Sequence, residues 1–358
     1  MKKLFRSFSS VLVPLLSIVL ALLIGVIIML ALGADPILAL QQLAKGAFGT
    51  RNSIGVTLAK ATPLMFCALC ACFAYKCGVF NLGGEGQFII GSVACFCTAH
   101  FSGLVGFPGI LLALAAGTAA GGLWGLIPGV LKVYRGQNEM IISIMLNYVA
   151  TLFMGVIYTN WIRDKSVPQT PAIPGEVKIP RVFSDMRFTW GFVIAVVLGF
   201  LIYYFLFWTS GGFKLRAVGY NMTASRFNGF PTKRFILISF IISGAIAGLG
   251  GGTELLGSQF RLINGFGADY GFDGVAMALI GQLHPIATMV VAIFFAALRA
   301  GSTAMQAATG VPTSVSDIIQ ALVIVFSVAG MALVKLPEFM AFRAKYLTRK
   351  SKKEAVTK

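Results

Sequence analysis

The sequence is poor in charged residues, and above all in acidic ones. Only 11% of its 358 residues are Asp, Glu, Lys or Arg, against about 25% in typical soluble domains. Acidic residues number 12 against 29 basic ones, and there are only two histidines. No stretch is polar enough to form a soluble domain, so the composition excludes the two or three soluble domains that this length would otherwise suggest.

Signatures of catalysis are missing as well. No phosphate-binding loop of the form G-x-x-x-x-G-K-[S/T] occurs, and no HExxH motif. His100 and His284 lie far apart, and the glycines of Gly84-Glu85-Gly86 follow no predicted strand. We therefore expect no catalytic residue, no metal site and no cofactor bound by this chain, and a membrane enzyme is disfavoured.

Six cysteines are present, but their surroundings are apolar. Cys67-x-x-Cys70 and Cys95-x-Cys97 have spacings that occur in metal sites. The apolar runs around them and the scarcity of histidine favour small buried side chains instead. No disulfide framework is implied.

Long apolar runs dominate the chain, which is 57% hydrophobic with a mean hydropathy of +0.85. They predict an all-α polytopic membrane protein with about ten transmembrane helices, some interrupted or re-entrant. The first run follows Lys2, Lys3 and Arg6 and is too long for a signal peptide, so we expect a retained span. The first seven predicted spans are about 11–33, 54–75, 87–104, 108–131, 139–161, 189–209 and 235–257. The eighth is a short, potentially re-entrant piece from 272, and the ninth begins after the His284-Pro285 break and runs to about 306. The tenth is 315–335.

The basic residues cluster in links and at the two ends, which indicates membrane orientation rather than nucleic-acid binding. With both termini in the cytoplasm, about two thirds of the 29 Lys and Arg residues fall on the cytoplasmic side. The whole chain, 1–358, is predicted to form a single transmembrane domain. Its parts are a cytoplasmic N-terminus (1–10), a membrane domain (11–335), an external proline-rich loop (162–188), a basic cytoplasmic loop (210–234) and a basic cytoplasmic tail (336–358).

The most unusual stretch is Cys77–Phe88, which holds four glycines, an Asn, a Glu and a Gln between two apolar runs. In lipid, backbone groups freed by such a break must find partners inside the protein, and an ionisable side chain there usually lines a cavity. The stretch is typical of an interrupted membrane helix lining a path. A short loop at the membrane surface is an equally good interpretation of the composition.

Two further segments carry patterns. Gly244, Gly248 and Gly252 share one helix face, which predicts close packing against another helix. In the segment 212–231, Asn221 is predicted to cap a short helix that ends near Gly229. This basic, aromatic helix has two interpretations, resting on anionic lipid or docking into a partner protein, and the pattern alone slightly favours lipid.

Four stretches together resemble a known family. They are Val79–Gln87, Ile144–Tyr148, Arg216–Asn221 and Phe272–Gly281. In the same order they are similar to signatures of the permease subunits of ABC importers, in the branch that carries nucleosides and simple sugars. The resemblance spans roughly residues 50–335.

Mild departures from the family pattern leave the substrate open. Ser225, Phe230 and Met277 replace a usual alanine, isoleucine and valine. Relatives of the same superfamily are associated with sugars or riboflavin, so permeases for those solutes are alternatives to a nucleoside permease.

The resemblance implies a transport subunit in the cell inner membrane that lacks an ATPase site of its own. It implies a cytoplasmic ATPase that hydrolyses ATP, a second permease that is a paralogue or a copy of this chain, and an extracytoplasmic binding protein that delivers the small solute. It also favours docking over lipid binding for the cytoplasmic segment. The implied coupling residues are Arg216, Gly219, Asn221, Ala224, Phe227 and Gly229.

Polar residues within apolar spans are candidates for contact with the solute. They are Asn81, Glu85, Gln87, Asn147, Tyr148 and Glu254. Amide and carboxyl groups can hydrogen-bond a ribose or a base edge, and an aromatic ring can stack on a base. Two alternatives stay open: that Asn81 and Glu85 only satisfy the broken backbone, or that Glu85 and Glu254 serve an ion-coupled secondary transporter.

Overall fold

The computed structural model describes residues 2–164 and 167–335, and side chains within 13–330. This part of the chain contains thirteen α-helices, and its only strand-like feature is an isolated bridge between Arg181 and Thr189. The all-α prediction is confirmed. The helices are α1 (Lys2–Ala31), α2 (Pro36–Phe48), α3 (Arg51–Lys76), α4 (Gly84–Phe101), α5 (Gly106–Arg135), α6 (Glu139–Val156), α7 (Trp190–Trp208), α8 (Ser210–Tyr220), α9 (Met222–Phe227), α10 (Thr232–Glu254), α11 (Tyr270–Ile280), α12 (Pro285–Thr309) and α13 (Ser314–Lys335).

Seven helices of the described chain are long and apolar enough to cross a membrane. They are α1, α3, α5, α6, α7, α10 and α12, with α6 and α10 extended by π-helical turns at Ile157–Trp161 and Leu255–Gln259. The protein is thus a polytopic membrane protein. Helices also occupy the three other predicted spans, but the number ten stays a prediction.

The link between the first two predicted spans contains a helix, α2. Asp35 Oδ1 accepts hydrogen bonds from the backbone amides of Ile37 at 2.9 Å and Leu38 at 3.3 Å. Pro36 supplies a first helical residue whose missing N–H would have no helical partner. Asp35 as the N-cap, followed by Pro36, therefore starts this helix.

The chain divides into two compact units. The first comprises residues 1–40 and 305–358, and within it α1 packs against α13. Gly25 of α1 approaches the side chain of Ile319 so closely that a methyl group there would lie 2.6 Å from Cδ1. The second unit, residues 41–304, holds most of α2 and α12, all of the other helices, and every site residue discussed below.

Glycine backbones form the centre of the second unit, where α4, α5 and α10 meet. A methyl group on Gly248 would lie 2.4 Å from the carbonyl oxygen of Gly117, and one on Gly91 would lie 2.3 Å from Cα of Gly248. A methyl group on Gly244 would likewise lie 2.4 Å from the Gly121 carbonyl oxygen. The predicted glycine face of α10 is confirmed, and these contacts let three helices pack backbone against backbone.

Two of the helices in the second unit begin beside each other in its interior. Gly271, at the start of α11, lies against Glu85 at the start of α4, and Gly274 packs on the backbone of Cys67 in the second half of α3. The eleven residues of α11 span about 16 Å, half of a hydrocarbon core of about 30 Å. Both α4 and α11 are therefore parts of interrupted helices, as the fold prediction anticipated.

The break after α11 lies where proline predicted it. Gln282 and Leu283 adopt positive φ angles of 53° and 57°, and α12 begins at Pro285. At the other end of α11, residues 260–269 connect it to α10 without regular helix. The external loop, as predicted, has little regular structure, with one 3-10 turn at Gly175–Val177.

Candidate functional site

The candidate site is built around the break between α3 and α4. Helix α3 ends at Lys76, Gly78 adopts a φ angle of +75° in the following turn, and α4 begins at Gly84. Most side chains at position 78 would be strained in this left-handed conformation, which favours glycine and tolerates asparagine. Residues 79–83 run without helix into the interior of the unit.

Asn81 organises the non-helical stretch. Its Nδ2 donates to Gln87 Oε1 at 3.0 Å and to Ser243 Oγ of α10 at 2.8 Å. Its Oδ1 accepts from Gln87 Nε2 at 3.1 Å and from the Gly83 amide at 3.0 Å. Asn81 and Gln87 are each 1% exposed, so both amide groups are bonded within the protein rather than to an open path.

Asn147 of α6 binds the same stretch from the other side. Its Oδ1 accepts from the Gly86 amide at 2.8 Å, and its Nδ2 donates to the Leu82 carbonyl oxygen at 2.9 Å. These bonds satisfy backbone groups that the broken helix leaves unpaired. They support the alternative in which such residues stabilise the break, and a role of Asn81, Gln87 or Asn147 in contacting solute stays a prediction.

Glu85 differs from these amides. It is partly buried beside Gly271, and it accepts a hydrogen bond from the backbone of Asp269. Its second oxygen, Oε2, is buried with no hydrogen-bond partner among the described residues. A buried carboxyl oxygen without a donor is costly, so Glu85 keeps an acceptor free for a donor from elsewhere.

The two remaining candidates lie apart from Asn81. Glu254 is buried at the end of α10, about 16 Å along that helix from Ser243, and its Oε1 accepts from Gln259 Nε2 at 3.2 Å. Tyr148 is 65% exposed on α6 and points away from the buried Asn147. The structure thus brings Asn81, Gln87 and Asn147 together, with Glu85 adjacent, and leaves Glu254 and Tyr148 outside this group.

A charged group near Glu85 was not predicted as part of the site. Arg299 of α12 forms an ion pair with Asp273 of α11, and the Lys60 ammonium donates to the Arg299 carbonyl oxygen at 2.9 Å. The Arg299 guanidinium also lies 5.7 Å from the centre of the Tyr270 ring. An arginine inside a long apolar helix is itself a signal of a buried partner, and it could have identified this pair.

The segment around 212–231, which was predicted to be cytoplasmic, contains the predicted short helix and a second helix before it. Asn221 Oδ1 accepts from the Ala224 amide at 2.9 Å and caps α9, which ends before Gly229 with a φ angle of +78°. The cap and the stop are confirmed. Helix α8 was not predicted; Thr209 caps it by accepting from the Gly212 amide at 3.1 Å.

Large aromatic side chains of this segment are exposed. Phe227 is 89% exposed and Tyr220 is 84% exposed. A cavity of about 470 Å³ is lined in part by Tyr220. Arg216 and Ala224 are among its lining residues, whereas Gly219 faces the end of α3. Exposed aromatic side chains beside a concave surface are typical of a protein interface, but docking here stays a prediction.

Residues 53–328 match the family described as "Branched-chain amino acid transport system / permease component". This chain belongs to that family. It is therefore a transport component and, with seven helices of spanning length in its described part, a multi-pass protein of the plasma membrane.

Characterised relatives cover nearly the whole chain. The guanosine ABC transporter permease NupP of Bacillus subtilis is 34% identical over 92% of this chain and 96% of its own length. The nucleoside ABC transporter permease NupB of Lactococcus lactis is 32% identical over 96% and 98%. The glucose ABC transporter permease TsgB13 of Haloferax volcanii is 30% identical over 87% and 86%. No solved structure matches this chain.

Proposed function

We propose that this chain is the permease subunit of an ATP-binding cassette importer that carries nucleosides into the cell. The observation that carries the proposal is the near full-length similarity to two permeases named for guanosine and nucleosides. The buried carboxyl of Glu85 fits such a solute, because a ribose hydroxyl or a base N–H can donate to its free oxygen.

The proposal divides the polar residues of the break into two roles. Asn81, Gln87 and Asn147 hold the non-helical stretch through their mutual and backbone hydrogen bonds. Glu85, which this stretch positions, contacts the passing solute. Tyr148 offers an exposed ring on α6 that can stack on a base. The Glu254 carboxylate remains hydrogen-bonded to Gln259 at the end of α10.

Partner proteins supply what the chain itself lacks. A cytoplasmic ATPase docks on α8 and α9 through exposed Tyr220 and Phe227. A second permease, a paralogue or another copy of this chain, completes the pathway, and an extracytoplasmic binding protein delivers the nucleoside. The ATPase binds and hydrolyses ATP, so no cofactor is assigned to this chain.

A second candidate solute is a simple sugar, which the glucose permease among the relatives supports. A competition experiment distinguishes a nucleoside from a sugar as the solute. Cells producing the complete transporter take up radiolabelled guanosine, and an excess of unlabelled uridine, glucose, ribose or riboflavin is added in turn. The proposal expects inhibition by uridine alone; inhibition by glucose without inhibition by uridine, or no guanosine uptake at all, would overturn it.

A further inference from the structure

The cytoplasmic segment touches the interrupted helix directly through two glycines. A methyl group on Gly219 of α8 would lie 2.3 Å from the Lys76 carbonyl oxygen and 2.9 Å from the Gly78 amide nitrogen. A methyl group on Gly78 would lie 3.0 Å from Cα of Gly219. The two backbones are therefore in contact with no side chain between them.

On one side of this contact, the chain continues at once into the polar site. Only residues 79 and 80 separate Gly78 from Asn81, whose hydrogen bonds hold the stretch that leads to Glu85. Cys77 adds a further restraint, because its Sγ donates to the Phe235 carbonyl oxygen of α10 at 3.6 Å. A displacement of Gly78 therefore reaches the residues around Glu85 through a short, bonded segment.

On the other side, α8 is joined firmly to the exposed helix α9. Asn221 belongs to both helices, because its amide donates to the Ala217 carbonyl oxygen at 3.1 Å and its side chain caps α9. Arg216 and Lys76 both lie over the ring of Phe207, at 4.8 Å and 5.6 Å from its centre. These shared contacts keep α8 in register with the end of α3.

We propose that the contact between Gly78 and Gly219 transmits movement of α8 and α9 to the break that positions Glu85. The inference rests on the proposed function, since it concerns the same transport step. Gly78 and Gly219 are positioning residues in this account and do not touch the solute. Closely packed backbones transmit a displacement with little loss because no rotatable side chain between them can absorb it.

Replacing Gly219 by alanine tests the contact. The methyl group forces α8 away from Lys76, whereas the exposed side chains of Tyr220 and Phe227 keep their identity. The purified complex, with its ATPase and binding protein, is reconstituted into vesicles, and nucleoside uptake and ATP hydrolysis are measured together. We expect the amount of nucleoside transported per ATP to fall by about fivefold or more while the ATPase still co-purifies.

Gly211→Ala, on the same helix as Gly219, is the matched control, because a methyl group there meets side chains rather than backbone: the ring of Phe205 at 3.3 Å and Thr209 Oγ1 at 3.9 Å. It is expected to transport as the unaltered complex does. If Gly219→Ala does not accumulate as folded protein, Gly78→Asn replaces it, since asparagine tolerates positive φ and its Cβ makes the milder 3.0 Å contact. Gly136→Asn, with a φ of +65° and open space around it, controls for backbone strain.

An unchanged ratio of nucleoside to ATP in the folded glycine variants would overturn the inference. If uptake and ATP hydrolysis both fall but in equal proportion, the contact is purely structural, and the inference is overturned as well. Absence of nucleoside uptake by the unaltered complex would instead contradict the proposed function, so the two failures are distinguishable.

Discussion

At the scale of single residues, Glu85 stands apart from its neighbours because one of its oxygens has no donor within the described structure. If a solute hydroxyl or N–H supplies that donor, Glu85→Gln keeps the size of the side chain and removes the charge. Hydrogen bonds to charged groups contribute about 1.5–3 kcal/mol, so we expect the apparent affinity for nucleoside to weaken about tenfold or more.

The measurement is concentration-dependent uptake at matched expression, with Glu176→Gln, an exposed carboxylate of the external loop, as the control. An unaltered affinity and rate in Glu85→Gln would rule out direct contact with the solute.

Asn81 should behave in the opposite way, because its hydrogen bonds are all internal. Asn81→Ala leaves Gln87, Ser243 and the Gly83 amide each short of a partner. Each buried polar group left unpaired costs about 1–3 kcal/mol, so we expect a lower unfolding temperature in detergent, with affinity changed less than in Glu85→Gln. Asn160→Ala, at an exposed position, is the control, and equal unfolding temperatures would refute the structural role.

At the scale of helices, local signals in the sequence predicted the breaks well. The glycines around Asn81 and the proline after His284 mark interruptions that the structure contains, and Asn221 caps α9 as its position indicated. These features depend on a few neighbouring residues, so the sequence is sufficient to predict them.

Other features depend on contacts between distant segments, and the sequence could not reveal them. The bonds from Asn147 to the broken backbone and the ion pair of Asp273 with Arg299 join different helices. Helix α8 was missed because its glycines and basic residues have the composition of a loop. Its contact with Gly78 is set by tertiary packing, which overrides weak local propensity.

The close glycine contacts of α10 allow a prediction about how the helices pack. Gly248→Ala places a methyl group 2.4 Å from the Gly117 carbonyl oxygen, so the helices must separate. Overpacking of this kind costs about 1–3 kcal/mol, and we expect less folded protein and a lower unfolding temperature. In Gly155→Ala the nearest atom is 3.9 Å away, and alanine has the higher helix propensity, so this control should fold normally; similar losses in both variants would point to handling rather than packing.

Helix α9 makes a prediction about docking. Phe227 is 89% exposed, so Phe227→Ala should leave the fold of this chain intact. If its ring fills a pocket of the ATPase, removing it costs about 2 kcal/mol or more of binding, and the amount of ATPase that co-purifies should fall. Phe183→Ala removes an exposed ring from the loop predicted to be external and should retain the ATPase; equal retention by both variants would contradict docking through Phe227.

At the scale of the whole molecule, the proposed function makes this chain a gate whose energy comes from a partner. The sequence has no phosphate-binding loop, and the amide groups of Asn81, Gln87 and Asn147 are occupied by internal hydrogen bonds. Near Glu85, Arg299 is paired to Asp273 and bonded to Lys60. On the proposed function, work on the solute comes from a partner acting on α8 and α9.

This arrangement predicts how the purified chain behaves alone. Vesicles that contain only this polypeptide should not concentrate nucleoside under a proton or sodium gradient, because the proposed function takes its driving force from ATP hydrolysis by the partner ATPase. Vesicles with the complete transporter and internal ATP should do so, and a non-hydrolysable ATP analogue should abolish accumulation by the same preparation. Gradient-driven accumulation by the chain alone would instead establish a secondary transporter, in which Glu85 and Glu254 would be the first carboxyl groups to test as ion carriers.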